Sequence, residues 1–150
     1  MMTFSYPSRY AARLAVGALL TFLLPPVLAA SPDARSLIAA QIAEGCGAEG
    51  TGQFAPDAIV ERDLTGDGAS DLLISHDGLA CRSGGRSGFC GIRTCLVVPY
   101  VRQGGRLSHN TEVMANGASI GAGEPPVIAL TSDDGSPNPM RWNGTTFVER

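Results

Sequence analysis

Apolar and polar residues alternate along this chain in three different ways. Leu14 to Leu24 is a nearly continuous apolar run. Behind Ser31-Pro32-Asp33, the residues Leu37, Ile38, Ala39 and Ile42 recur at the spacing of one helical face. Ser31 can cap such a helix, and Pro32 suits its first position, where no N–H is needed. The pattern predicts one short N-terminal helix ending near Glu44, followed by a flexible connection through Gly45, Gly47, Gly50 and Gly52. Those glycines are not a dinucleotide fingerprint, because no strand leads in and no helix follows.

From Ala58 onward the apolar segments shorten to strand length. Ala58–Arg62 and Leu72–His76 read as the arms of a hairpin, and Cys95–Arg102 as the most apolar strand. Pro99 removes one amide donor there, which predicts a strand edge or a bulge. Gln103-Gly104-Gly105 turns this strand into a partner over Arg106–Met114, and Val127–Leu130 forms a further strand. Asn116–Gly123, small residues alternating with glycine, predicts no element. Asn143-Gly144 between Met140–Trp142 and Thr145–Val148 is a two-residue hairpin signal, with Trp142 and Phe147 facing each other across it. The expected fold is mainly β (α+β): a small antiparallel sheet with one short N-terminal helix.

The first apolar run changes the compartment. Arg9 and Arg13 precede it, Pro25-Pro26 follow it, and Val27-Leu28-Ala29-Ala30 offers a small-residue exit. This describes a secretory signal peptide over residues 1–30, cleaved near Ala29 or Ala30, with an apolar centre too short to span a bilayer. Residues 31–150 are then a single secreted or periplasmic antiparallel β domain with no membrane span. A chain of about 120 residues buries roughly two-thirds of its unfolded surface, around one core. Without Arg9 and Arg13, nine arginines stand against 14 acidic residues, a net charge of −5. Such a surface does not attract nucleic acid or anionic lipid.

An exported chain with four cysteines implies two disulfides. Cys46, Cys81, Cys90 and Cys95 allow three connectivities; the reading favours Cys81 with Cys90, closing an Arg/Gly/Ser loop, and Cys46 with Cys95. Their spacing fits no zinc site. Arg82 and Arg86 in the Asp77–Gly91 stretch are candidate partner-binding residues, since a guanidinium fork suits carboxylate or phosphate.

The densest chemistry lies at Asp63-Leu64-Thr65-Gly66-Asp67-Gly68-Ala69-Ser70-Asp71. Oxygen-bearing side chains stand at positions one, three, five and nine, with glycine at four and six, which is the spacing of a Ca²⁺ loop. Asp63, Thr65, Asp67 and Asp71 supply side-chain oxygens, and Ala69 a backbone carbonyl. Position twelve, where an EF-hand carries a bidentate Glu, is Ile74, and a strand follows instead of a helix. The alternative is an Asp/Gly turn held by its own side-chain to backbone hydrogen bonds. Ser132-Asp133-Asp134-Gly135 is a second acidic turn without the alternating ligands, though Asp133 remains a candidate to close a site from a distance.

From Asp63 to Leu72 the chain resembles the calcium loops of FG-GAP and VCBS repeats, Asp-x-Asn/Thr-Gly-Asp-Gly-x-x-Asp-Leu. Those domains repeat the loop blade after blade, whereas a single copy cannot close a propeller. With the Cys81…Phe89-Cys90-Gly91…Cys95 cluster and the closing Arg141-Trp142-Asn143-Gly144 hairpin, the chain over about residues 44–149 is similar to a group of small exported bacterial proteins of uncharacterised function. That resemblance implies a secreted or periplasmic domain and no catalytic residues.

The expected function is an exported, monomeric, non-enzymatic binding module with a structural Ca²⁺ ion and a protein or cell-envelope partner. One alternative is a small hydrolase using His76, Asp77 or Asp71, and Ser75 or Ser87. Against it, Ser75 and His76 are adjacent and point to opposite faces of a strand, and no Gly-x-Ser-x-Gly elbow occurs. His109 reads as a solvent-facing turn residue. A second alternative is a protease inhibitor presenting the Arg82–Arg86 loop.

Overall fold

The computed structural model describes residues 30–47 and 50–149; the expected signal segment up to Ala29 lies outside them. Helix α1 (Pro32–Gly45) begins as its sequence dictates, with the Ser31 hydroxyl accepting from Ala34 N and Asp33 in the first turn, where the helix dipole favours a negative charge. Eleven short strands follow: β1 (Gly52–Phe54), β2 (Ile59–Arg62), β3 (Asp71–Ser75), β4 (Leu79–Cys81), β5 (Cys95–Gln103), β6 (Arg106–His109), β7 (Val113–Ala115), β8 (Ala118–Ile120), β9 (Ile128–Leu130), β10 (Met140–Trp142) and β11 (Phe147–Glu149). All their pairings are antiparallel. They make a central sheet β2-β3-β5-β6 with β7 also on β5, a second sheet β11-β10-β9-β8, and the pair β1-β4.

The inner strands β3 and β5 of the central sheet are buried on both sides, which explains why they read as apolar runs and not as alternating patterns. Leu72, Ile74, Val98 and Tyr100 face α1 and pack with Ala34, Leu37, Ile38 and Ile42. Leu73, Val97 and Val101 face the second sheet and pack with Ile128, Leu130, Met140 and Phe147. Two apolar layers thus replace the one core expected. Successive side chains of a strand point to opposite faces, so the same two strands supply both.

Pro99 sits on central strand β5, opposite Leu73. A residue's N–H and C=O point to the same neighbouring strand, and the Pro99 carbonyl accepts from Asn110 N at 3.2 Å. Its missing N–H therefore faces the gap where β6 stops and β7 begins. The registers there shift from Tyr100↔His109 to Val97↔Val113, which leaves one extra residue in the β6–β7 connection. The expected bulge is present, on the partner strand, and it splits the single partner expected over Arg106–Met114. Asn110, in that gap, ties down the last hairpin by accepting from Phe147 N and donating to Thr145 O.

Two turn predictions need correction. Asn116–Gly123 contains β8, whose pairing with β9 compensates for its small side chains. The last hairpin pairs Trp142 with Phe147, so its connection has four residues, not two. Gly144 alone takes positive φ, and a type I′ turn needs it at both central residues. The Asn143 side chain instead accepts from Thr145 N and Thr146 N.

The disulfides also differ from the favoured pairing. Cys46 bonds to Cys81, and Cys90 to Cys95. The Gly-rich stretch after α1 is not merely a connection: β1 pairs with β4 and sets Gly52 opposite Cys81, beside the end of α1. A Cβ on Gly52 would lie 2.8 Å from both Cys46 Sγ and Ala80 O, so the bridge needs glycine there. Cys90 and Cys95 face each other across an antiparallel bridge.

Arg102 of β5 fastens the start of the helix. Its guanidinium donates to Asp33 (2.6 Å), Ser31 Oγ (3.2 Å) and Glu61 (3.2 Å), and its Nε to Ser70 O (2.7 Å). The hydrogen bonds from Arg102 and Ser31 hold the Asp33 carboxyl well below the usual carboxylate range.

Candidate metal centre

Asp63–Asp71 forms the tip between β2 and β3, as expected, and its geometry is set from within. Asp63 accepts the amides of Thr65 (3.1 Å), Gly66 (2.6 Å) and Gly68 (2.8 Å), and Asp67 accepts that of Ala69 (2.8 Å). Gly66 and Gly68 take φ of +83° and +84°, a region strained for other residues. Leu64 inserts into the layer facing the second sheet, an anchor that no motif position marks.

Asp71 is fully buried. One oxygen accepts Leu64 N (2.9 Å) and the other Arg102 N (2.8 Å), so this carboxylate ties the start of the loop and strand β5 together. For Asp63, burial alone raises the pKa, but the amides of Gly68, Gly66, Thr65 and Asp67 outweigh it and hold the carboxyl below its ordinary value.

The donor set fits a hard cation. A carboxylate has about four lone-pair directions, so one that accepts two or three amides keeps capacity for an ion. Thr65 is 8 % exposed, and its Oγ1 is the buried side-chain oxygen without a hydrogen-bond partner among the described residues. Leaving a buried hydroxyl unpaired costs about 1–3 kcal/mol. Three carboxylates, one hydroxyl and the Ala69 carbonyl are all oxygen, the ligand type Ca²⁺ takes. Among the described residues no three His, Cys, Asp or Glu side chains form a ready-made cage. Asp63 and Asp71 turn their oxygens to amides, which an ion must share.

The other candidates are placed differently. Arg86 is committed to its own chain, donating to Gly91 O (2.8 Å) and Ile92 O (2.6 Å), whereas Arg82 is exposed beside the Cys46–Cys81 bridge. The Cys90–Cys95 bridge and Arg86 together brace Gly91–Thr94. At its tip Ile92 is 95 % exposed, and Met114 Cε lies 3.8 Å from where a Cβ on Gly91 would stand. Asp133 lies in the turn closed by Gly135 N donating to Ser132 O.

Ser75, His76 and Asp77 do not form a Ser–His couple. The Ser75 hydroxyl donates to Asp77, and Ser87 is buried with its hydroxyl accepting from Phe89 N (3.2 Å). His76 leaves the strand in a 3₁₀ turn and is fully buried, its ring 4.3 Å from that of Phe89 and 5.8 Å from that of Phe54. Its Nδ1 lies 2.9 Å from Leu96 O and its Nε2 2.8 Å from Gln41 Oε1. Two acceptors suit an imidazolium; a neutral ring with its proton on Nδ1 needs Gln41 to turn its NH₂ towards Nε2.

Burial pushes the His76 pKa below its ordinary value, although Leu96 O, Glu44 and Asp77 act the other way. With the folded pKa below the unfolded one, this stabilisation is complete above about pH 6.5 and is lost as pH falls through the folded value. The thermal midpoint is therefore expected to drop between pH 7.5 and 5. His76→Gln should flatten that drop and the exposed His109→Gln should preserve it; equal slopes in both variants would refute the assignment.

No protein family, curated protein or solved structure matches this chain.

Proposed function

We propose that the protein is an exported, non-enzymatic domain whose Asp63–Asp71 loop takes a structural Ca²⁺ ion and whose Gly91–Thr94 loop engages a protein or cell-envelope partner. The observation that carries the metal reading is Thr65 Oγ1, buried and unpartnered at the third position of an oxygen-bearing loop. Asp63, Thr65, Asp67, Asp71 and the Ala69 carbonyl would hold the ion, which would neutralise carboxylates crowded on one bend. The export reading is supported by the two disulfides, which persist in oxidising compartments. Support for a partner comes from a separate place: Ile92, at the tip of the braced Gly91–Thr94 loop, and Met114, on the adjacent strand β7, are the exposed large apolar side chains among the described residues, and bracing reduces the entropy lost on binding.

Thermal melts in Ca²⁺ and in EGTA test the metal reading. An ion bound only by the folded state adds about 2.7 kcal/mol at a hundredfold excess over Kd, so the midpoint should rise by several degrees in Ca²⁺. Asp67→Ala should abolish that rise with little effect in EGTA, because among the described residues Asp67 accepts only the Ala69 amide. Identical wild-type midpoints in both buffers would remove calcium from the account.

A further inference from the structure

The two disulfides sit in different surroundings. Cys46–Cys81 joins residues 35 positions apart, and no guanidinium donates to either of its sulfurs among the described residues. Cys90–Cys95 closes five positions and carries a positive charge at one end, with Arg86 Nη2 3.6 Å from Cys95 Sγ. That guanidinium is fixed, since its Nη1 donates to Gly91 O and Ile92 O, and among the described residues it pairs with no carboxylate. The two cysteines are also unequally placed. Cys95 is 2 % exposed, whereas Cys90 is half-buried, and both line an open cavity of about 270 Å³ together with Asp77, Arg86, Ser87 and Arg93.

We infer that Cys90–Cys95 is an exchangeable disulfide: a small thiol enters this cavity as its thiolate and attacks Cys90 Sγ, and Cys95 leaves as a thiolate facing Arg86. In that step the bond between Cys90 and Cys95 breaks, a new S–S bond joins Cys90 to the incoming sulfur, and the negative charge passes to Cys95 Sγ. A second molecule of the same thiol, again as thiolate, attacks the mixed disulfide and releases Cys90 as a thiolate. The two thiol molecules depart as their own disulfide, and the bridge has taken up two electrons. Exchange is faster when the attacked sulfur is accessible and the leaving thiol is acidic, and a neighbouring Arg makes a thiol more acidic. Both conditions select attack at the half-buried Cys90 and departure of Cys95. Opening so short a loop frees little chain entropy, so the reduced domain keeps its fold with Cys46–Cys81 closed. The exchange is stoichiometric and independent of the Asp63–Asp71 loop.

Timed reaction of the oxidised, exported protein with reduced glutathione, quenched in acid, alkylated and mapped by mass spectrometry, tests this in wild type and Arg86→Met. In wild type, glutathione should appear on Cys90 and the alkyl group on Cys95, with Cys90–Cys95 opening at least about tenfold faster than Cys46–Cys81. Arg86→Met keeps the side-chain length without the charge and should slow the opening of Cys90–Cys95 about tenfold. The rate is read relative to Cys46–Cys81 in the same molecule, which corrects for any loosening of the whole fold. If Arg86 only braced the loop, the variant would open Cys90–Cys95 faster, because the fork on Gly91 O and Ile92 O is lost. Glutathione on Cys95, or Cys46–Cys81 opening first, would overturn the site. An unchanged or faster relative rate in Arg86→Met would overturn the role of Arg86 in releasing Cys95.

Discussion

Removing the Cys46–Cys81 bridge is expected to cost about 4 kcal/mol, and removing Cys90–Cys95 about 2 kcal/mol, from the entropy of closing loops of such different length. The bridges span 35 and five positions, so the first constrains the unfolded chain far more. It also does more in the folded state. Only Ala34 and Gly45 of α1 are buried, so the helix has a thin apolar contact and relies on attachments at its ends: Arg102 at the start and the bridge at the finish. For a domain whose total stability is about 5–15 kcal/mol, the loss is severe. The measurement is urea unfolding of the Cys46→Ala/Cys81→Ala and Cys90→Ala/Cys95→Ala double variants. Alanine avoids burying a new hydroxyl beside Gly45 and Leu79. If the short-loop variant were the less stable of the two, the assigned role of the long bridge would be wrong.

Asp71→Ala is expected to destabilise the protein by about 3 kcal/mol even in EGTA, since it leaves the buried Leu64 N and the half-buried Arg102 N without acceptors. The effect should reach beyond the loop. Leu64 would lose the bond that holds it at the layer facing the second sheet, and Arg102, which carries the helix start, would lose its backbone anchor. Asp67→Ala, on the exposed side of the same loop, serves as the comparison and should be nearly neutral without calcium. This contrast separates two roles that the motif merges. If Asp71→Ala destabilised only in the presence of Ca²⁺, Asp71 would act as a ligand alone, and its role as a structural tie would be wrong.

Much of the local structure was legible because it depends on neighbours in sequence. The Ser31-Pro32-Asp33 start of α1, the β2–β3 tip with its two glycines and the apolar strand after Cys95 all follow from capping, backbone freedom and hydropathy. The failures share one cause. Pairings β1–β4 and β8–β9 involve short, glycine-rich segments with little apolar pattern of their own, and they form because partners elsewhere supply hydrogen bonds and a buried face. The disulfide assignment failed with them, since Cys46 meets Cys81 only once β1 lies beside β4. The Asn143-Gly144 turn lengthened because Asn110, more than 30 positions away, holds Thr145 and Phe147.

The candidate site divides in the same way. Spacing alone identified the oxygen-bearing residues Asp63, Thr65, Asp67 and Asp71, since their crowding on one bend is a property of consecutive residues. Tertiary structure assigned their unequal positions. It buried Asp71 against β5, left Asp67 outside and stranded the Thr65 hydroxyl. By itself the sequence determined one helix, a β-rich chain and an acidic glycine-bent tip, because those rest on interactions spanning a few residues. Which strands pair, which cysteines meet and which oxygens are buried were decided only when distant segments packed, because burial depends on what lies on the other side of each sheet.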